Sequence, residues 1–71
     1  MNRFEIQNIA IGMEFDRLMR EHPTLAEEIP DNAFIILLVE GDEPFNRWSV
    51  TVGKQHADEG QAVFYATMLN G

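Results

Sequence analysis

The stretch Ala33-Phe34-Ile35-Ile36-Leu37-Leu38-Val39 decides how this 71-residue chain folds. Its residues are all apolar, so it lacks the alternation of a strand that has one face in water. Such a run is typical of a strand buried on both faces, as in a parallel sheet covered by helices. It is also far shorter than the ~20 apolar residues that a membrane-spanning helix needs. The run therefore predicts a strand that is covered on both faces, and no membrane segment.

A second strand is predicted over Ala62-Val63-Phe64-Tyr65-Ala66-Thr67-Met68, shortly after Gly60. The segment from Glu40 to Gln61 is too long for a tight hairpin and suits a parallel crossover through a helix. Asp42 and Glu43 fit the cap and first turn of that helix, and Gly60 fits the position past its end. The pattern therefore predicts a β-α-β unit.

The crossover also allows a second interpretation. Residues 47–52 alternate between polar and apolar side chains, which is a strand pattern and would give a three-stranded antiparallel meander packed on the N-terminal helix. Residues 54–59 favour a helix instead, with Lys54 and Asp58 spaced for an i,i+4 ion pair. We predict one small α/β (α+β) domain over residues 1–71, with an N-terminal helix, a short helix and two short parallel strands joined by a helix. The meander is the alternative.

The predicted N-terminal helix, residues 3–21, carries apolar residues on two sides. One stripe contains Phe4, Ile11, Phe15, Leu18 and Met19, and the opposite side contains Ile6, Ile9 and Met13. A two-stranded sheet makes a weak core by itself, so a second copy of the chain is a natural cover for the second stripe. We therefore predict a homodimer through Ile6, Ile9 and Met13. The alternative is a helix sandwiched within one monomer, between the sheet and the short second helix.

The short second helix follows His22-Pro23, because the residue before a proline is disfavoured in the α region. Thr24 and Glu27 have the spacing of a capping box, and Pro30 ends the segment.

The charge balance narrows the possible partners. Asp and Glu total 12 against 5 Lys and Arg, which gives a net charge of −7. Nucleic-acid binding depends on Lys and Arg at phosphates, so we expect no nucleic-acid partner. The same field favours a basic protein partner or a cation. With no cysteine in the chain, nothing indicates an oxidising compartment, and we expect a cytoplasmic protein.

Motifs for catalysis or cofactor binding are not apparent. The glycines match no phosphate-binding or dinucleotide-binding loop. His22 and His56 belong to no helix-borne metal motif, and Ser49 lacks the glycine-framed turn that presents a nucleophile. We therefore expect no enzyme and no cofactor.

The acidic loop after the first strand is the remaining candidate site. Glu40, Asp42 and Glu43 follow the C-terminal end of a predicted parallel strand, where open α/β sheets place their ligands. Their oxygens could hold Mg²⁺ or Ca²⁺, or they could simply cap the helix that begins there.

The chain also resembles a family of uncharacterised bacterial proteins of about 70 residues. The resemblance covers nearly the whole chain and rests on Glu14-Phe15-Asp16-Arg17-Leu18, His22-Pro23, Ala26-Glu27-Glu28-Ile29-Pro30-Asp31-Asn32-Ala33, Gly41-Asp42-Glu43-Pro44 and Lys54-Gln55-His56-Ala57-Asp58-Glu59-Gly60-Gln61-Ala62-Val63. It implies the order helix, short helix, strand, helix, strand, and it implies no activity.

These observations lead to two functional hypotheses. The first is a small cytosolic, non-catalytic protein-interaction module that forms a homodimer. The second is a small-ligand or divalent-metal binder that uses Glu40, Asp42 and Glu43.

Overall fold

A computed structural model describes residues 1–69 of the chain. The elements are listed in chain order as α1 (Arg3–Glu21), α2 (Pro23–Ala26), β1 (Phe34–Val39), α3 (Glu43–His56) and β2 (Val63–Met68). Over these residues the sheet has two parallel strands, paired in register from Phe34 opposite Val63 to Val39 opposite Met68. The predicted β-α-β architecture is confirmed. The meander is wrong because its middle strand lies inside α3.

The helix α3 forms despite the strand-like alternation in its sequence. Asp42 caps it, accepting a hydrogen bond on Oδ1 from the backbone N–H of Phe45 at 3.2 Å. Its buried residues are Phe45, Ser49 and Gly53, spaced four apart on one face. Gly53 lies against the Ile36 side chain of β1. A helical face that packs on the sheet thus outweighs the local β propensity of residues 47–52.

β1 is covered on both faces, as its unbroken apolar sequence predicts. Ile36 is fully buried on the side of α3. Leu37 points the other way and forms a buried cluster with Phe15 of α1 and Ala66 of β2. In described residues 1–69, every helix is too short or too polar to cross a lipid bilayer.

The C-terminal half of the outer edge of β1 is covered by polar side chains of α3. Ser49 donates its hydroxyl to the carbonyl of Leu37 at 2.7 Å. Asn46 makes two bonds with the backbone of Val39, accepting from its N–H at 2.7 Å and donating to its carbonyl at 2.8 Å. Ser49 and Asn46 therefore occupy the carbonyl of Leu37 and the N–H of Val39, which would otherwise be free to pair with another strand. The carbonyl of Val39 also accepts a hydrogen bond from the backbone N–H of Asp42 at 3.1 Å.

The loops that precede the two strands are joined by one side chain. Gln61 accepts a hydrogen bond from the backbone N–H of Asp58 and donates one to the carbonyl of Asn32, both at 2.9 Å. Asn32 has a positive φ of 61°, a conformation that asparagine tolerates better than most residues. The bridge therefore fixes the turn from which β1 starts.

The first helix has the predicted bounds, but the predicted capping box of the second is wrong. α2 begins at Pro23, with His22 at the cap position and no side-chain capping bond. Proline suits the first helical position, so the helix starts before Thr24 could cap it. A capping box is present instead at the start of α1, between Asn2 and Glu5.

Candidate interaction surface

α1 leaves a stripe of large apolar side chains exposed. Ile6, Ile9 and Met13 are 57%, 50% and 69% exposed. They are spaced by three and four residues, so they lie along one line of the helix, away from buried Phe15. We call these three residues the α1 ridge. The alternative, in which α1 is sandwiched within one monomer, is wrong, because neither the sheet nor α2 covers the ridge.

A groove lies beside the α1 ridge, between α1 and α3. It is open to solvent, has a volume of about 560 Å³ and shares Ile9 with the ridge. Phe34, Trp48 and Val52 form its apolar wall, and polar side chains complete the lining: Asn2, Glu5, Asn8 and His56. We call this the α1–α3 groove. The ridge and the groove lie side by side on α1, so the ridge of one copy of the chain can fit against the groove of a second copy.

An aromatic cluster holds one wall of the groove in place. The ring of Phe4 lies 5.7 Å from Trp48 and 6.1 Å from Phe45, and the rings of Phe45 and Trp48 are 5.8 Å apart. Phe45 is fully buried, which fixes the position of its two neighbours. Aromatic pairs at these separations add stabilisation beyond their buried area. The indole of Trp48 is therefore a fixed feature of the groove.

A charged cluster follows the ridge toward the C-terminal end of α1. Arg17 binds the carboxylates of Glu14 and Glu21, with Nη1 at 2.9 and 3.1 Å from the two oxygens of Glu21. The hydrogen bond from Arg17 lowers the pKa of Glu14 below its usual range. One guanidinium between two carboxylates leaves this cluster with a net charge of −1.

In the acidic loop, the carboxylate of Asp42 makes hydrogen bonds that stabilise the fold. Both carboxylate oxygens of Asp42 accept hydrogen bonds, Oδ1 from Phe45 and Oδ2 from Nε2 of Gln7 at 2.9 Å. Glu43 lies in the first turn of α3, and Glu40 is exposed. In residues 1–69, no three His, Asp or Glu side chains are close enough together to hold a metal ion. The geometry therefore favours the capping role of this loop.

Sequence reasoning missed the polar contacts of Asn46 and Gln7. Asn46 pairs with a strand edge, and Gln7 ties α1 to the start of α3. A signal exists for Asn46, since asparagine is a weak helix former in the interior of a helix. For Gln7 the sequence offers no signal, because its partner lies 35 positions away.

The sequence matches, over residues 3–71, a family described as a family of unknown function (DUF5647). The chain belongs to this family. Membership of DUF5647 confirms the resemblance seen in the sequence, and the structure confirms the order of helices and strands that it implies. Searches of curated proteins and of solved structures found no match.

Proposed function

We propose that this DUF5647 member is a non-catalytic protein-interaction module of the bacterial cytosol that pairs with a second copy of itself through the α1 ridge. The exposure of Ile6, Ile9 and Met13 along one line of α1 carries the proposal. Contiguous apolar surface rimmed by polar residues marks interaction sites on small soluble domains. The neighbouring groove supplies a concave surface for the ridge of the second copy.

The burial energy sets how much surface the dimer must cover. Each ridge side chain is about half exposed, so covering it contributes about 1 kcal/mol, roughly half of a full burial. The ridges of two copies together contribute about 6 kcal/mol, against an association cost of ~4 kcal/mol or more. A micromolar dimer needs about 8 kcal/mol net. The interface must therefore include the apolar wall of the α1–α3 groove as well as the ridge.

A two-fold axis across α1 meets this requirement. In an isologous dimer the same patch is used twice, so one ridge contacts the groove of the partner and the reverse contact forms as well. Ile9 belongs to both surfaces, which places ridge and groove within one continuous patch. Trp48 lies in that patch and reports on its burial.

Sedimentation velocity over about 1–100 µM tests the proposal, together with Trp48 fluorescence. We expect a dimer that is weakened by Met13→Ser, because two half-buried side chains are lost at about 1 kcal/mol each, or roughly thirtyfold in Kd. Leu25→Ser is the matched control, since Leu25 is 49% exposed on α2 and outside the ridge. A wild-type chain that stays monomeric at about 100 µM rules out the self-association.

The acidic loop is the weaker candidate for function. A divalent cation at Glu40, Asp42 and Glu43 would compete with the two hydrogen bonds that Asp42 already accepts. A titration with Mg²⁺ or Ca²⁺ followed by backbone chemical shifts of residues 40–43 tests that function separately.

A further inference from the structure

We propose that β2 forms a second contact between copies of this chain, in which two β2 strands pair antiparallel across a two-fold axis at Tyr65. The two sheets would join into one of four strands, in the order β1-β2-β2-β1. This contact uses a surface separate from the α1 ridge and does not depend on the dimer proposed above.

The two edges of the sheet differ in whether their outward backbone groups have hydrogen-bond partners. Phe34 donates to the carbonyl of Ala62 and Glu40 to that of Met68, so the even-numbered residues of both strands face the other strand. The odd-numbered residues face outward. On β1, α3 side chains bind outward groups of Leu37 and Val39.

The corresponding edge of β2 is open. Its outward residues are Val63, Tyr65 and Thr67, and within residues 1–69 no group hydrogen-bonds to their backbone N–H or carbonyl. An exposed row of unpaired backbone groups is a template for another strand. The fold thus occupies the outward carbonyl of Leu37 and the outward groups of Val39 on one edge, and it leaves the outward groups of Val63, Tyr65 and Thr67 on the other edge available.

The spacing of the outward residues selects the register. With the axis at Tyr65, this residue faces its own copy, and Val63 faces Thr67 of the other strand. Each of these opposed pairs exchanges two backbone hydrogen bonds, so every outward group of β2 gains a partner. A shift by two residues would leave outward groups of each β2 strand unpaired.

Charge and side-chain type favour a second copy as the occupant. The chain carries −7, so two copies repel wherever acidic residues meet. Residues 61–69 contain no Asp, Glu, Lys or Arg, so self-pairing there brings no charges together. Val63 and Tyr65 are 38% and 48% exposed, and both belong to residue types that favour cross-strand packing.

Amide hydrogen exchange measured by NMR, in a Met13→Ser background that weakens the α1 ridge, tests the proposal. In a monomer the amides of Val63, Tyr65 and Thr67 exchange fast, while the inward amide of Ala66 is protected by β1. We expect protection of the three outward amides to rise with protein concentration. Isotope-filtered NOEs between Hα of Phe64 and Hα of Ala66 in different copies would report the register.

Two pairs of variants make the test specific. Thr67→Pro removes an outward N–H and leaves the inward bonds to β1, whereas Thr67→Val keeps the N–H. Tyr65→Lys opposes two like charges at the axis, and Tyr65→Thr is its control. We expect the proline and lysine variants to lose the concentration-dependent protection, with Ala66 still protected as evidence of folding. If Thr67→Pro does not fold, the comparison of Tyr65→Lys with Tyr65→Thr tests the proposal.

Two results would overturn the proposal. The first is fast exchange of the outward amides at all concentrations up to about 1 mM, which would leave the edge free for a strand of another protein. The second is protection that survives Tyr65→Lys, which would place its origin outside the β2 edge.

Discussion

Gly12 of α1 and Gly53 of α3 lie against opposite faces of β1, so the effect of replacing glycine by alanine can be compared at the two positions. A Cβ added at Gly12 would lie 3.8 Å from Cδ1 of Leu37, an ordinary contact distance. A Cβ added at Gly53 would lie 2.7 Å from both Cδ1 and Cγ1 of Ile36. We therefore expect Gly12→Ala to stabilise the protein and Gly53→Ala to destabilise it.

The magnitudes follow from two opposing effects. Replacing glycine by alanine inside a helix contributes about 1 kcal/mol of stability. At Gly12 nothing opposes this gain. At Gly53 the new methyl group overpacks a fully buried, β-branched side chain, which costs roughly 1–3 kcal/mol. With an atom at 2.7 Å on the stiff part of Ile36, we expect a net loss of about 1–2 kcal/mol and a difference of ~2–3 kcal/mol between the two variants.

Urea unfolding followed by circular dichroism at fixed protein concentration measures both variants. The pair differs by position alone, so each serves as the control for the other. In a background of Ile36→Val, which removes Cδ1, the loss caused by Gly53→Ala should shrink. If Gly53→Ala stabilises as much as Gly12→Ala, then α3 does not lie as close to β1 as described here.

The remaining predictions concern single polar side chains. Asn46→Ala should lower the free energy of unfolding by about 1–3 kcal/mol, since it leaves the N–H of buried Val39 without a partner and its carbonyl with the N–H of Asp42 alone; urea titration measures this. Asp42→Ala should cost ~0.5–2 kcal/mol by removing the cap of α3, while Asp42→Asn, which keeps a capping oxygen, should cost less. NMR titration should give Glu14 a pKa below its usual range, and Arg17→Met should restore the usual value. Because the folded pKa is lowered, the small stabilisation from this exposed pair is present above the unfolded-state pKa and is lost as the pH falls through the folded value.

Much of the backbone arrangement follows from the sequence. The unbroken run at residues 33–39 predicts a strand covered on both faces, and the distance to the second strand suits a crossover through a helix. The sequence of the crossover helix is ambiguous, because Val50 and Val52 favour a strand locally. What settles it is the contact of Gly53 with Ile36, a tertiary contact that local propensity does not include.

The surface features follow from the sequence only in part. Helical periodicity separates Ile6, Ile9 and Met13 from the core stripe of α1, and the structure leaves them exposed. The α1–α3 groove could not be predicted, because it depends on how α1 crosses α3. The covered edge of β1 is equally inaccessible to sequence reasoning, since Asn46 meets Val39 only after α3 has folded back on the strand.

The bridge from Gln61 to Asn32 bears on the order of folding. It joins positions 29 apart, and the parallel strand pairing that it borders closes a loop of similar length. Closing such a loop costs chain entropy before any contact is gained, whereas β1 and α3 are neighbours in the chain and can meet early. We therefore expect β2 to dock after the folding transition state. Gln61→Ala should then accelerate unfolding and leave the refolding rate almost unchanged.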